Sequence, residues 1–231
     1  MIEDGLSYPF EGNEAVKNLL IGGLLNVFGF LVLPVLIVQG YYIAVLRTTI
    51  QGYDQMPAFQ EWGTLLVDGL KAAIITFVYS IVPLILFAVL MGVLGAGADG
   101  SSSGIVAGFG LLFFLLLFLV YALIAYLAPA ALSHFAYKGS FGAAFEFGTI
   151  TDVITHGEYL KAFVMAIVVG FLIGIVAIIL QITIIGIILL PWLYFYAGAA
   201  ILRMYGRAYA TAVSGQQGGH QQTTGRQTQN Y

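Results

Sequence analysis

The chain has 231 residues, of which 60% are hydrophobic and only 8% are charged, and its formal net charge is −3. Soluble domains carry about 25% charged residues, so this composition excludes an ordinary water-soluble globule. The small net charge argues against nucleic acid as a partner. Since the chain has no cysteine, disulfides, thiolate metal sites and thiol nucleophiles are excluded as well. We therefore predict an all-α, polytopic integral membrane helix bundle whose first partner is the lipid bilayer.

The two ends of the chain differ in composition from its middle. Residues 1–16 are acidic and only modestly apolar, whereas a cleavable signal peptide needs a basic start and an early apolar core. We therefore expect a retained, cytoplasmic N-terminal segment. Residues 213–231 are rich in Gly, Gln and Thr, and a segment with so few apolar residues cannot bury enough surface to fold. This pattern predicts a transmembrane helical domain over residues 17–212, followed by a disordered polar tail.

The 8 cationic and 11 acidic side chains all lie outside four stretches of the chain, 18–46, 72–98, 100–137 and 162–202. A charge at the bilayer centre costs about 2.5–3.5 kcal/mol on insertion scales, and one crossing takes about 20 apolar residues. The second and third stretches each fit one helix, with a Gly/Ser turn at 100–104 between them. The fourth is long enough for two antiparallel crossings that meet near 181–186.

The first stretch, 18–46, admits two interpretations. A single helix of that length would be about 43 Å long at 1.5 Å per residue, and Pro34 interrupts it after several glycines. It is therefore either one bent crossing or a hairpin of two short helices, which gives five or six crossings in all. The basic residues of the other connections share one side, which the positive-inside rule makes cytoplasmic, and Lys17 joins them only if this stretch crosses twice. We favour six crossings in the plasma membrane, with basic connections and C-terminus in the cytoplasm.

Three segments of the chain echo one another. Each runs from a proline through aromatic residues to a cation: Pro34 to Arg47, Pro129 to Lys138, and Pro191 to Arg203. The repetition predicts three helix hairpins, in each of which the second helix carries a proline and ends at a cytoplasmic cation. The alternative is that any multi-pass membrane helix ends in aromatic residues and a cation.

Two connections on the basic side have an amphipathic character. From Phe59 onward, apolar residues recur at helical spacing while polar residues take the other face, and the second connection repeats the aromatic–acid cluster. We predict two interfacial amphipathic segments, near 57–70 and 140–158. Their candidates for contact with lipid or with a membrane or cytoplasmic protein partner are Phe59, Glu61, Trp62, Phe145 and Phe147.

Two further patterns lie inside the uncharged stretches. Each stretch contains one helix-bending proline: Pro34, Pro83, Pro129 and Pro191. Such prolines either expose backbone carbonyls to a substrate or only bend the helix. A row of small residues at a spacing of four, Ala162, Ala166, Gly170 and Gly174, predicts close approach of another helix, within the protein or in a dimer.

Chemistry-bearing residues form no recognisable catalytic, cofactor or metal motif, and we expect none of these sites. His156 and Glu158 would supply two metal ligands, whereas metal sites take three or four. We interpret His134 as an interfacial histidine at a helix end. The remaining enzymatic hypothesis places Glu61 and Glu146 in one pocket at the cytoplasmic interface.

The motifs of the two basic-side connections resemble a known family. The first reads GYD (52–54), PAFQEW (57–62) and DGLK (68–71), and the second reads KGSFGAAFEFG (138–148). Together with Pro34, Gly40-Tyr41 and Arg47, they resemble the archaeal membrane family known as domain of unknown function 4013, over roughly residues 1–212. The resemblance implies a multi-pass membrane protein and no established activity, substrate or catalytic residue.

Three hypotheses about function follow, from different classes. The first is a non-enzymatic membrane component that organises lipid or a partner through the two amphipathic segments. The second is a carrier or channel for a small neutral or lipidic substrate, based on the prolines and uncharged polar groups. The third, and the one with least support from the residues, is a membrane-embedded enzyme.

Overall fold

The computed structural model describes the backbone of residues 2–12, 14–96 and 103–227, and the side chains in those ranges other than 96, 103–107 and 215–227. These ranges form α-helices and two 3₁₀ helices, Tyr8–Phe10 and Phe141–Phe145, and hold no β-strand. The α-helices are α1 (Ile2–Ser7), α2 (Ala15–Val27), α3 (Val32–Ile50), α4 (Trp62–Ala96), α5 (Ser103–Lys138), α6 (Phe147–Ile154), α7 (Gly157–Gln181) and α8 (Ile184–Gln227). The all-α prediction is confirmed.

Five segments in the described part of the chain are long and apolar enough to cross a membrane: Val32–Ile50, Trp62–Gly95, Gly108–Lys138, Gly157–Gln181 and Ile184–Ser214. The helices suit a membrane-embedded bundle, and the alternative count of five matches these segments. The expected turn at 100–104 falls largely on residues outside the described ranges. The disordered tail expected over 213–231 stays a prediction, and its residues 228–231 also lie outside the described ranges.

The sixth predicted crossing depends on α2, which has 13 residues. It is about 20 Å long from the 1.5 Å rise, less than the ~30 Å of the hydrocarbon core. The chain turns at residues 28–31 and re-enters as α3, so the first uncharged stretch folds as two short helices. Pro34 lies in the first turn of α3 and bends no helix, which corrects its predicted role. A first turn accepts proline because its N–H groups have no intrahelical acceptor.

Helix α8 lies at the centre of the bundle and packs against α1, α2, α3, α5, α6 and α7. Two glycines bring α3 and α4 into backbone contact. A Cβ on Gly40 would overlap the Leu65 carbonyl, and a Cβ on Gly69 would overlap the Leu36 carbonyl. Such close contact strengthens the van der Waals attraction between the two helices.

The small-residue row on α7 contributes to packing only in part. Ala162 and Ala166 are buried, but Gly170 is exposed and a Cβ on Gly170 or Gly174 would meet nothing within 4 Å. The buried face continues instead through Val169, Ile173 and Ala177. Since four residues exceed one turn of 3.6 residues, a strict spacing of four rotates away from a straight contact. The two glycines therefore do not pack within this chain, and their contact with a second copy stays a prediction.

The first predicted interfacial segment, 57–70, does not form a separate helix. Residues from Trp62 onward are the first turns of α4, which continues without a break to Ala96. The close approaches at Gly40 and Gly69 hold these turns against α3. Leu65, Asp68 and Gly69 are buried there, whereas Trp62 and Leu70 stay exposed. In the second segment, 140–158, the 3₁₀ helix Phe141–Phe145 is followed by the short α6, which buries Ile150 and Val153.

Candidate functional site

Among the residues that the structure describes, most charged side chains gather at one end of the bundle. We call this end the polar cap: residues 2–12, the connections 51–61 and 139–156, the first turns of α4, the ends of α3 and α5 that carry Arg47 and Lys138, and the part of α8 around Arg203 and Arg207. Each cation that ends one of the three echoed segments pairs there with an acid. The pairs are Arg47–Asp68 at 2.9 Å, Lys138–Glu146 at 2.5 Å and Arg203–Asp54 at 2.7 Å. The sequence echo therefore has a physical counterpart in three ion pairs.

Arg203 ties the N-terminal segment to the cap. Its side chain is only 1% exposed, its guanidinium lies 4.6 Å from the centre of the Tyr8 ring, and its Nε lies 3.5 Å from Asp4 Oδ2. Asp4 also meets Arg207 at 2.8 Å. The hydrogen bond from Arg203 holds the pKa of Asp54 below its usual range. Because a buried guanidinium needs charged and polar partners, residues 4–8 and 54 are fixed around α8.

Tyrosines on the long apolar helices hold the cap segments by hydrogen bonds to backbone carbonyls. The hydroxyl of Tyr41 donates to Pro57 O at 2.8 Å, and that of Tyr79 donates to Ala144 O at 2.8 Å. The other two are Tyr126 to Ile154 O at 2.6 Å and Tyr196 to Leu6 O at 2.8 Å. Each bond satisfies a carbonyl of an irregular or terminal segment, which stabilises the cap on the bundle.

His134 is buried among polar partners. Its Nδ1 contacts the Tyr209 hydroxyl, and its Nε2 lies 3.0 Å from Glu146 Oε2. The hydrogen bonds from Lys138 and then His134 lower the pKa of Glu146. The interpretation of His134 as a lone interfacial histidine missed this contact. The signal was present, since His134 and Lys138 are four residues apart and share a face of α5.

Glu146 has a structural position that follows from these contacts. It ends the 3₁₀ helix Phe141–Phe145 and immediately precedes α6. By binding this one carboxylate, α5 fixes the backbone between Phe145 and Phe147. His134 and Lys138 therefore act as positioning residues for the two aromatic side chains.

A lateral groove of about 330 Å³ lies between α4, α5 and these two aromatics. Its lining is Val78, Tyr79, Val82, Val120, Leu123, Ile124, Phe145 and Phe147. Phe145 stacks on Tyr79, with ring centroids 5.9 Å apart and planes 11° apart. Val78, Val82 and Leu123 are exposed on the outside of the bundle. The groove is thus an apolar recess on the outer surface of the bundle, bordered by aromatic rings.

The predicted contact residues separate into two groups. Phe145 and Phe147 line the lateral groove. Phe59 does not face a partner, because it is 7% exposed and stacks on Tyr41 with centroids 4.0 Å apart. Trp62 is half-exposed beside it, and Glu61 has a backbone φ of 51° just before α4. Since its ring is buried against Tyr41 of α3, Phe59 is not available to a partner. The prediction of Phe59 as a contact residue is wrong.

The two carboxylates of the enzymatic hypothesis have different neighbours. Glu61 lines a recess of about 270 Å³ with Arg47 and Asp68, whereas Glu146 contacts His134 and Lys138. Among the residues that the structure describes, no group of three or more His, Asp or Glu side chains is arranged to hold a metal ion.

Three of the uncharged polar groups on which a carrier would depend donate to backbone carbonyls. Ser80 Oγ donates to Thr76 O at 2.8 Å, and Ser133 Oγ donates to Pro129 O at 2.7 Å. Asn26 Nδ2 donates to Pro191 O at 3.1 Å, which joins α2 to α8. Such bonds satisfy backbone groups around prolines in membrane helices.

Comparisons with known proteins agree with the family resemblance. The model of the family "Protein of unknown function (DUF4013)" matches residues 24–182. An uncharacterized protein of Methanocaldococcus jannaschii is 30% identical over 180 residues, which cover 71% of this chain and 57% of the relative. The chain thus spans little more than half of that relative's length, and no solved structure matches. The chain belongs to the DUF4013 family of unknown function.

Proposed function

We propose that this protein is a non-enzymatic, multi-pass component of the plasma membrane that binds and organises bilayer lipid at the lateral groove. The observation that supports this function is the groove itself, an apolar recess between two helices suited to the membrane. Phe145 and Phe147 close it, and they come from the segment for which the sequence predicted contact with lipid or a partner.

The chemistry of the recess favours an acyl chain as its occupant. All its lining residues are apolar or aromatic, so a polar ligand would lose its hydrogen bonds to water without replacement. A dry void would forfeit dispersion contacts with the lining. In a bilayer, the apolar material beside α4 and α5 is lipid tail.

The proposed topology places the polar cap in the cytoplasm. The cap carries Arg47, Lys138, Arg203 and Arg207, which the positive-inside rule assigns to that side. Helices α2 and α3 would then form the first of three hairpins. The contact of Asp4 with Arg207 supports an N-terminal segment on the cap side. The turn between α2 and α3 is apolar, and its Phe30 is 79% exposed, which suits insertion into lipid.

The alternative of a carrier receives less support from the geometry. Asn26, Ser80 and Ser133 already donate to backbone carbonyls, so a substrate would have to displace these bonds. A protein partner that binds the exposed face of α6 at the cap stays an alternative to lipid.

A substitution that fills the groove tests the proposed function. Leu123→Trp places a larger side chain in the recess, and Leu172→Trp on α7 is the matched control. Both leucines are similarly exposed, at 57% and 51%, and only Leu123 lines the groove. Phospholipid added to the detergent-purified protein should raise the Tm of the native chain and of the control, and the groove variant should lose most of that rise. An equal rise in all three proteins would contradict lipid binding at this groove.

A further inference from the structure

The charges near the cap end of the lateral groove leave one cation without a counter-ion. On α4, α5 and the segment 139–147, Asp68 pairs with Arg47, and Glu146 pairs with Lys138. His134 lies between Tyr209 and the same Glu146. Within the described ranges, Lys71 on α4 forms no ion pair (its ammonium is within 4.0 Å of no carboxylate).

Lys71 lies on the same face of α4 as the groove. It precedes Val78 by seven residues and Val82 by eleven, and both valines line the recess. At 3.6 residues per turn, these spacings place the three side chains within a narrow arc. The distance along the axis from Lys71 to Val78 is about 10 Å at 1.5 Å per residue. A lysine near a helix end extends its ammonium toward the headgroup region while its methylenes stay on apolar surface.

This geometry matches the layout of a phospholipid, with an acyl chain in the recess and a phosphate at the level of Lys71. Asp68 and Glu146 are already bound by Arg47 and Lys138. The ammonium of a zwitterionic headgroup would be repelled by Lys71, whereas a headgroup of net negative charge would only be attracted.

We infer that the lateral groove selects a phospholipid of net negative charge, whose phosphate is bound by Lys71. This assignment rests on the proposed function and adds the class of headgroup to it. Lys71 is the residue that determines specificity, while the groove lining supplies affinity that is independent of the headgroup.

Native mass spectrometry of the full chain in detergent measures the selectivity. Phosphatidylglycerol and phosphatidylcholine with identical acyl chains are added at equal concentration. The native chain should retain more phosphatidylglycerol. Lys71→Gln should lower its retention about fivefold, the factor that one lysine contributes at an anionic lipid surface, and leave phosphatidylcholine unchanged. Lys161→Gln is the matched control, because Lys161 pairs with Glu158 at 2.6 Å on α7 and should not affect selectivity.

The outcomes separate the two proposals. If Lys71→Gln keeps the native preference while Leu123→Trp loses both lipids, the headgroup assignment is wrong and the groove function stands. If Leu123→Trp retains both lipids as the native chain does, the groove function fails and the headgroup assignment fails with it. Equal binding of the two lipids by the native chain also overturns the assignment.

Discussion

Gly40 of α3 and Gly69 of α4 lie where two helix backbones touch. At Gly40 the neighbour is the carbonyl of Leu65, and at Gly69 it is the carbonyl of Leu36. A flexible side chain moves aside for an added methyl group, but a helical backbone moves only with the whole helix. The α3–α4 contact therefore requires glycine at both positions.

Gly40→Ala should destabilise the protein by about 1–3 kcal/mol, the usual cost of overpacking. Gly92→Ala on α4 is the matched control, because nothing lies within 4 Å of the position of its Cβ. In a helix interior that change is neutral or stabilises by about 0.5–1 kcal/mol. Thermal unfolding in one detergent compares the two variants. A Gly40→Ala protein as stable as the control would contradict the contact.

Glu146 makes the stability of the fold depend on pH, and the direction of the change follows from its contacts. Its pKa in the folded protein is lowered by the hydrogen bonds from Lys138 and His134. The stability it contributes is present above the pKa of an unfolded glutamate, about 4.3. That contribution is lost as the pH falls through the lower pKa of the folded state.

The difference in Tm between the native chain and Glu146→Gln should therefore be constant near neutrality. It should shrink toward zero as the pH falls below about 4. Glu14→Gln is a control, since its pair with Lys17 at 2.7 Å lies on the surface at the start of α2 and contributes little. Unfolding curves at a series of pH values measure both differences. A Glu146→Gln difference that grew on acidification would refute the assignment.

At the scale of elements, α7 shows which part of a small-residue row packs. Ala166 is buried, while Gly170, one turn further along, is exposed with open space around it. Ala166→Leu should destabilise the protein by about 1–3 kcal/mol through overpacking. Gly170→Leu should not destabilise it, because the new side chain faces outward. Thermal unfolding of the two variants checks this, and equal destabilisation by both would indicate that Gly170 also faces a helix.

The start of α4 shows why the predicted interfacial segment was not recognised as the first turns of a long helix. Helical periodicity reports that one face is apolar, and it does not report what covers that face. Lipid headgroups and a neighbouring helix produce the same pattern. The difference came from the glycine contacts with α3, which join residues distant in sequence.

At the scale of the whole molecule, the polar cap unites the N-terminal segment with the connections that follow α3 and α5. Because the chain has no cysteine, single cysteines can report the side of each segment. Cysteine at Glu14 and at Gln51 should react with a membrane-impermeant maleimide from the same side of sealed vesicles. Cysteine at Gln181, between α7 and α8, should react from the other side. Labelling of the Glu14 and Gln181 positions from a shared side would contradict the proposed hairpin of α2 and α3.

The sequence predicted those features that depend on composition along the chain. Uncharged stretches located the apolar helices, and the repeated proline-to-cation segments located Arg47, Lys138 and Arg203, which all pair with acids in the cap. Features that depend on contacts between distant residues were missed. Burial of Phe59 against Tyr41 and the contact of His134 with Tyr209 required the packing of whole helices.

The contacts of α2 have a consequence for the order of assembly during synthesis. Its Asn26 binds the Pro191 carbonyl, and a Cβ on Gly22 would meet Phe195. Domains form from the N-terminus as a ribosome adds residues, yet α2 finds these neighbours only after α8 has been made. In the nascent protein, α2 can therefore complete its packing only after α8, the last helix, has been synthesised.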